Sequence, residues 1–320
     1  MTTYIFRRIL QSIPTLLAIS FLIFSLLYIT PGDPVELIAG EVGEKMTEEQ
    51  RARVEQEWGL DKPFLERYFK FLFGAVRGDL GESYATGEDV FKTVLAYMPA
   101  TLKLTAFAML LSLCISLPLG LLAALKHNSV WDSLATALAT VGVSMPRFWF
   151  GLVLMILFSQ NLGWLPSIGS IDVASVGVGG FLKRIIMPAA ALALSMAATQ
   201  TRMIRSSMLE VLNQDYVRYA RSKGLAERKV ILRHALRNAM IPVITTLGAE
   251  IGALLGGSVV TESIFSWPGV GRLALNSISK RDYPMIQGVT LILCTVYLVI
   301  NLLVDIVYAA ADPRIRLDRK

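Results

Sequence analysis

Charged side chains stranded in long apolar runs are the first residues of this sequence that could do chemistry. Arg147, Glu250 and Asp305 all sit in such runs. Placing an ionised group in lipid costs about 3 kcal/mol or more, so each must pair, meet water or touch a charged ligand. Glu250 is offset by two residues from Gly248 and Gly252, and shares a helical face with Ala253, Leu254 and Gly257. Arg147 and Glu250 are therefore candidates to touch a charged substrate in transit. The competing reading pairs them with one another or with backbone carbonyls to fix helix packing. Asp305, beside Asn301 near the end of its run, reads as a packing residue.

Other chemistry is missing from the sequence. No GxxxxGK[ST] phosphate loop is present, so the chain should not hydrolyse ATP. His127 and His234 cannot form an HExxH pair, and no Cys/His cluster has metal spacing. Gly257-Ser258 is an isolated pair, not a GxSxG nucleophile elbow. Cys114 and Cys294 lie in apolar runs and read as small buried hydrophobes. No catalytic, cofactor-binding or metal-ligating residue is expected.

The elements that position the charged residues follow from composition. The chain has 320 residues, 54% hydrophobic and 18% charged. The apolar excess is arranged in runs long enough to cross a bilayer core of about 30 Å as helices. Six spans are expected, at 9–30, 100–125, 133–159, 186–205, 242–261 and 286–309. The first is too long for a signal peptide and reads as uncleaved. Pro118 and Pro146 should kink their helices. Gly248, Gly252 and Gly256 form a doubled GxxxG pattern that reads as one helix-packing stripe, within the chain or against a second subunit.

Charge sets the orientation. Residues 31–98 hold 8 Lys/Arg against 14 Asp/Glu, while Arg7, Arg8, Lys126 and the closing Arg314, Arg316, Arg319 and Lys320 are basic. Basic loops stay inside, so both termini and the 206–241 loop are expected in the cytoplasm of a multi-pass membrane protein. The acidic loop is expected outside. Within it, Thr47 and Gln50 form a capping box, Gly59 ends that helix, and 63–76 forms a second, aromatic-rich helix at the membrane interface or over the outer mouth.

The polar interruption from Asn213 to Pro242 stands apart. The sequence predicts a helix over 206–223 with Leu209, Leu212, Tyr216 and Ala220 on its apolar face. Gly224 should take the left-handed position after it. In the second helix Ile231, Leu232, Ala235, Leu236 and Ala239 oppose Lys229, Arg233 and Arg237, and Pro242 should open the next span. A basic hairpin of this kind suits either an anionic lipid surface or a docking partner.

The ordered motifs decide between these. The chain carries YIFRRILQSIPTLL at the start, PGDP at 31–34, FWFG at 148–151 and LGWLPSIG at 162–169. DYVRYARSKGL at 215–225, LRNAMIPVIT at 236–245, GGSVVTESIFSWPGVGR at 256–272, RDYP at 281–284 and DPRIR at 312–316 follow. Over essentially its full length it resembles the permease subunits of ATP-binding-cassette importers, specifically the peptide/nickel group and the B-type of two paired permeases. Arg218-Tyr219-Ala220 stands where the general importer loop has Glu-Ala-Ala, so a role for that Glu does not carry over. Pro242, 18 residues after Gly224, is farther than in the general pattern; both departures are usual in the peptide group. Arg147 departs from the small polar residue usual after the Pro.

The resemblance implies an all-α membrane protein with a type I (MetI-like) permease core at 99–320. An extra N-terminal helix and outer loop would occupy 1–98. It implies a permease importing di- or oligopeptides, with nickel or glutathione as alternatives. The partners would be a second homologous permease, two ATPases that use ATP and Mg, and an extracytoplasmic binding protein. No nucleic acid partner is implied. Asp215, Tyr216, Arg218, Tyr219, Ala220, Arg221, Lys223 and Gly224 would form the ATPase-docking segment. A reading of a different class, an ion-coupled transporter with Glu250 as its proton site, predicts internal repeats that the sequence lacks.

Overall fold

The computed structural model describes residues 2–29, 35, 46–167 and 173–311; PGDP at 31–34 and DPRIR at 312–316, with the basic closing residues, lie outside these. The described chain is helical, with one isolated antiparallel bridge between Glu82 and Asp89. In chain order α1 is Thr2–Ile29, α2 Glu48–Trp58, α3 Phe64–Arg77, α4 Val90–Leu125 and α5 Val130–Ser144. Then come α6, Arg147–Leu154, prolonged by a π-helical turn Met155–Asn161, and α7, Val173–Leu212. The rest are α8, Asp215–Ser222, α9, Glu227–Ile264, α10, Val270–Ser279, and α11, Tyr283–Ala311.

Among the described residues four helices are long and apolar enough to span alone: α4, Val176–Leu212 of α7, α9, and Tyr283–Val304 of α11. The expected span 133–159 is not one helix. It breaks into α5 and α6, bent by 102°. The cause is local: the ring of Pro146 excludes its predecessor from helical conformation, and Met145 sits at φ −82°, ψ 123°. The pair counts as a fifth span if its two arms are taken together. Within α1, Leu10–Ser25 is an apolar stretch of about 24 Å among the described residues.

Two compact units divide the chain, Met1–Pro99 with Pro268–Leu298, and Ala100–Trp267 with Val299–Lys320. In the first, α2 starts and stops as its sequence dictates. Thr47 and Gln50 form the reciprocal capping box, and Gly59 closes the helix at φ 63°. The aromatics of α3 are split between two environments. Phe64, Tyr68 and Phe71 pack on Phe21 and Phe24 of α1, and the Tyr68 hydroxyl lies 3.0 Å from Ser20 Oγ. Phe69 and Phe73 remain exposed. Leu80, Val90, Val94, Met98, Val270, Met285, Val289 and Ile292 form this unit's core.

In the second unit α7 is central. Its Ile185, Ala189, Leu192 and Met196 pack with Leu104 and Ala108 of α4, Leu254 of α9 and Trp267. Lower down, Ile204 and Met208 pack with Ala124, Ala235, Ala239 and Val243. Backbones come close where residues are small. A methyl group added at Gly142 of α5 would lie 2.9 Å from Ala198, and one at Gly120 of α4 would lie 2.8 Å from Ile204. Cys114 is exposed, contrary to the sequence expectation, and Cys294 is half-buried; both are free.

The expected glycine stripe on α9 does not stay on one side. Gly248 is buried against Val304, and a methyl group there would overlap it. Gly256 is exposed with nothing near its Cβ position. Each four-residue step turns the helix about 40° past a full circle, so eight residues carry the stripe about 80° away from the packed side.

Asp282 anchors the first unit. It is 3% exposed, accepts from Ser83 Oγ and from the Tyr84 amide at 3.1 Å, and caps α11 through the Met285 amide at 3.4 Å. Replacing it with Ala strands three donors, at a cost of about 2–3 kcal/mol. Amide hydrogen exchange should speed up at Tyr84 and Met285 in Asp282→Ala, and less so in Asp282→Asn. Unaltered protection in Asp282→Ala would remove the anchor role.

Candidate functional site

The hairpin after α7 is built from a broken helix. The expected continuous helix 206–223 does not form. α7 runs to Leu212, the chain turns at Asn213 and Gln214, and α8 restarts at Asp215 with Gln214 extended at ψ 148°. The restart resets which residues face inward. Val217 and Ala220 are buried, packed with Val211, Leu212, Leu225 and Val230. Tyr216, expected on the apolar face, is 42% exposed, and Ala220, expected at the docking contact, faces into the hairpin.

Other candidates divide into struts and a free face. The Arg221 guanidinium grips the Glu227 carboxylate at 2.8 Å and 3.2 Å, tying α8 to the start of α9 across the turn. That carboxylate raises the Arg221 pKa above its ordinary value. The Tyr216 hydroxyl accepts from Asn238 Nδ2 at 2.9 Å, a second tie between the same helices. Gly224 makes the turn at φ 74° with nothing within 4 Å of its Cβ position. Asp215, Arg218 and Tyr219 point outward, Tyr219 with 62% of its surface exposed. Lys223 Nζ sits 4.8 Å from the centre of the Tyr219 ring. The outward face of α8 is thus one aromatic ring among exposed charges, on a helix fixed at both ends.

The return arm departs from its expected pattern as well. Glu227–Ile264 is continuous helix, so Pro242 lies within it and does not open a span. A π-helical turn at Val230–Ala235 shifts the helical phase, and Leu232 faces outward.

Sequence reasoning missed an ionic clasp near this end of the unit. Asp132, 4% exposed, accepts from Arg205 Nε at 2.6 Å and Nη2 at 2.8 Å, from the Asn128 amide at 3.0 Å, and lies 3.1 Å from His127 Nδ1. It ties the α4–α5 turn to α7. The signal was present: a lone Asp in the first turn of an apolar helix, three residues after a Ser cap. Beside the clasp is an open recess of about 770 Å³ lined by Asp132, Ser133, Thr136, Thr140 and Arg205. A neighbouring recess of about 530 Å³ adds Thr199, Arg202 and Ser206.

Halfway along α7 and α9 lies a second polar group. Arg147, lifted out of line by the Pro146 break, donates from Nε to Ser195 Oγ at 2.7 Å. Gln200, fully buried, donates to the Glu250 carboxylate at 2.8 Å and to Thr246 Oγ1 at 3.2 Å. Arg147 and Glu250 act on each other electrostatically, and each is hydrogen-bonded to a neutral side chain of α7. Among the described residues no group of three His, Cys, Asp or Glu could hold a metal ion. The Asp305 side chain lies outside the described residues.

Known proteins place this geometry. A family model described as "Binding-protein-dependent transport system inner membrane component" matches residues 116–317, and an N-terminal model of the same systems matches 1–105. The di/tripeptide transport system permease protein of Pseudomonas aeruginosa is 42% identical over 338 residues, covering 100% of both chains. The glutathione transport system permease protein of Salmonella paratyphi A is 39% identical over 316 residues, covering 99% of both. Among solved structures, the inward-facing MetNI methionine ABC transporter superposes with a TM-score of 0.55 at 17% identity, over 68% of this chain and 96% of that one. That likeness shows the fold, an all-α MetI-like permease core. The chain therefore belongs to the binding-protein-dependent transport system inner membrane components, as a permease of the peptide group and not an enzyme.

Proposed function

We propose that this chain is one of two paired permease subunits that carry di- or tripeptides across the inner membrane, driven by two separate ATPases and loaded by an extracytoplasmic binding protein. Both termini and α8 would face the cytoplasm. ATP and Mg would bind only to the partners. One observation carries the reading: α8 is a two-turn helix whose outward face is exposed and whose inward face and ends are fastened to α7 and α9. Such a helix can receive a push and pass it on. The relatives named for di/tripeptides and for glutathione, itself a tripeptide, support a short peptide as the substrate. Nickel is the alternative carried by the wider resemblance. The ligands held by the binding protein distinguish these, and uptake driven by an ion gradient without ATP would restore the ion-coupled reading.

The turn gives a sharp test. Gly224 needs φ 74° but has free space at its Cβ position, so a side chain there pays only for backbone strain, about 1–2 kcal/mol. Asn tolerates this conformation and Val does not. In the assembled complex, substrate-stimulated ATPase should fall in Gly224→Val and stay near wild type in Gly224→Asn, while both variants insert in the membrane. Equal activity in the two variants would remove α8 from the coupling path.

The outward face and the struts should also separate. Tyr219→Ala combined with Arg218→Ala removes exposed contacts and should weaken co-purification of the ATPases about tenfold or more, as loss of an aromatic or Arg anchor does. Arg221→Ala loosens the hairpin and should lower coupling with the ATPases still attached. Retention of the ATPases by the double variant would exclude this face as the contact.

A further inference from the structure

Arg147 and Glu250 are opposite charges held apart in the membrane interior. Each is fastened by neutral groups: Arg147 by Ser195, Glu250 by Gln200. Gln200 is fully buried, so its amide is committed to the Glu250 carboxylate and to Thr246. On α7, Ser195 and Gln200 are five residues apart, so the two fastenings are spaced about 7.5 Å along the helix axis.

Their separation can be read along α9. A Cβ at Gly257 would lie 3.1 Å from Arg147 Nη1, so the guanidinium end rests on Gly257. Gly257 is seven residues beyond Glu250 on the same face, about 10 Å along the axis. The α9 surface beside this interval is small and open: Ala253, Gly256 and Gly257 are all exposed. An extended chain advances about 3.5 Å per residue, so a peptide of two to three residues spans about 7–10 Å. A free peptide of that length carries a carboxylate at one end and an ammonium at the other. A guanidinium offers a carboxylate two parallel donors; among the described residues Arg147 donates through Nε to Ser195, and its Nη1 lies beside Gly257.

We propose that Arg147 and Glu250 are paired charge stations that hold the carboxylate and the ammonium of a short zwitterionic peptide as it passes between α6, α7 and α9. The open Ala253–Gly257 surface is where the peptide backbone lies. Gln200 and Thr246 are positioning residues that keep the Glu250 carboxylate turned toward this surface. This inference rests on the reading of the chain as a peptide permease.

The test uses the full importer with its binding protein, reconstituted in vesicles with ATP inside. Alanyl-alanine, its C-terminal amide and its N-acetyl derivative are supplied at concentrations that saturate the binding protein. Arg147→Gln should slow uptake of the free dipeptide about ten- to a hundredfold, the worth of a charge-assisted contact, and leave the amide little affected. Glu250→Gln should spare the N-acetyl derivative in the same way. Arg147→Lys keeps the charge and should retain the preference for a free carboxylate, which a packing role for Arg147 would not predict. Equal slowing of all three peptides by each Gln variant, or no slowing, overturns the inference while the peptide function stands. Absence of ATP-dependent peptide uptake in the wild-type complex overturns the function, and this inference with it.

Discussion

The second unit depends on α7 being narrow. Lipid is as apolar as a leucine side chain, so helices in a bilayer gain little from burying apolar surface and must gain from close contact. α7 presents Ala189, Ala191, Ala193, Ala197 and Ala198 as buried residues, and its neighbours answer with Ala135, Ala139 and Gly142 on α5 and Gly151 on α6. Close backbones then admit polar groups that would otherwise be too costly. Gln200 is buried because α9 is near enough to satisfy it, while Thr201 is satisfied by the Ala197 carbonyl of its own helix. A bulky residue at Gly142 would press on Ala198, two residues before Gln200 on the same helix.

The Pro146 break acts on this framework. A straight helix over 133–159 would leave residue 147 one more position on the α5 surface. The 102° bend makes Arg147 the first residue of a new helix and aims its long side chain at Ser195 and past Gly257. The clasp at the other end of α5 holds the arm steady: Asp132 and Arg205 bind α5 to α7 through two short charge-assisted bonds. α5 is thus pinned to α7 near its first turn by charge and along its length by small residues.

Much of this was legible in the sequence, for physical reasons that differ by element. The capping box at Thr47 and the glycine at 59 are local signals and fold as written, because they depend only on neighbours within four residues. The long apolar runs mark helices since lipid leaves the backbone no other choice. What failed was phase. The restart at Asp215, the π-helical turn at Val230–Ala235 and the drift of the 248–256 stripe all alter which side a residue faces without altering composition. Tyr216 and Leu232 were misplaced for that reason alone, while Ala220 is buried as its place on the apolar face predicts. Asp132 was missed differently: its partner is 73 residues away, and only the tertiary fold shows that the two meet.

These phase shifts bear on how force would travel in the proposed importer. α9 is 38 residues of unbroken helix, about 57 Å, and it carries Glu227 and Asn238 at one end and Thr246, Glu250 and Gly257 farther along. α8 is tied to its first part by Arg221 and Tyr216, and its buried face also rests on Val211 and Leu212 of α7. A displacement of α8 therefore reaches α7 and α9 together, and these are the helices that hold Ser195, Gln200 and Glu250. Arg147 alone of the polar group is mounted on α6, behind the Pro146 break. Any relative movement between the α7–α9 pair and α6 changes the distance between the two charges, so a push at the hairpin alters the spacing of the groups proposed to hold the peptide.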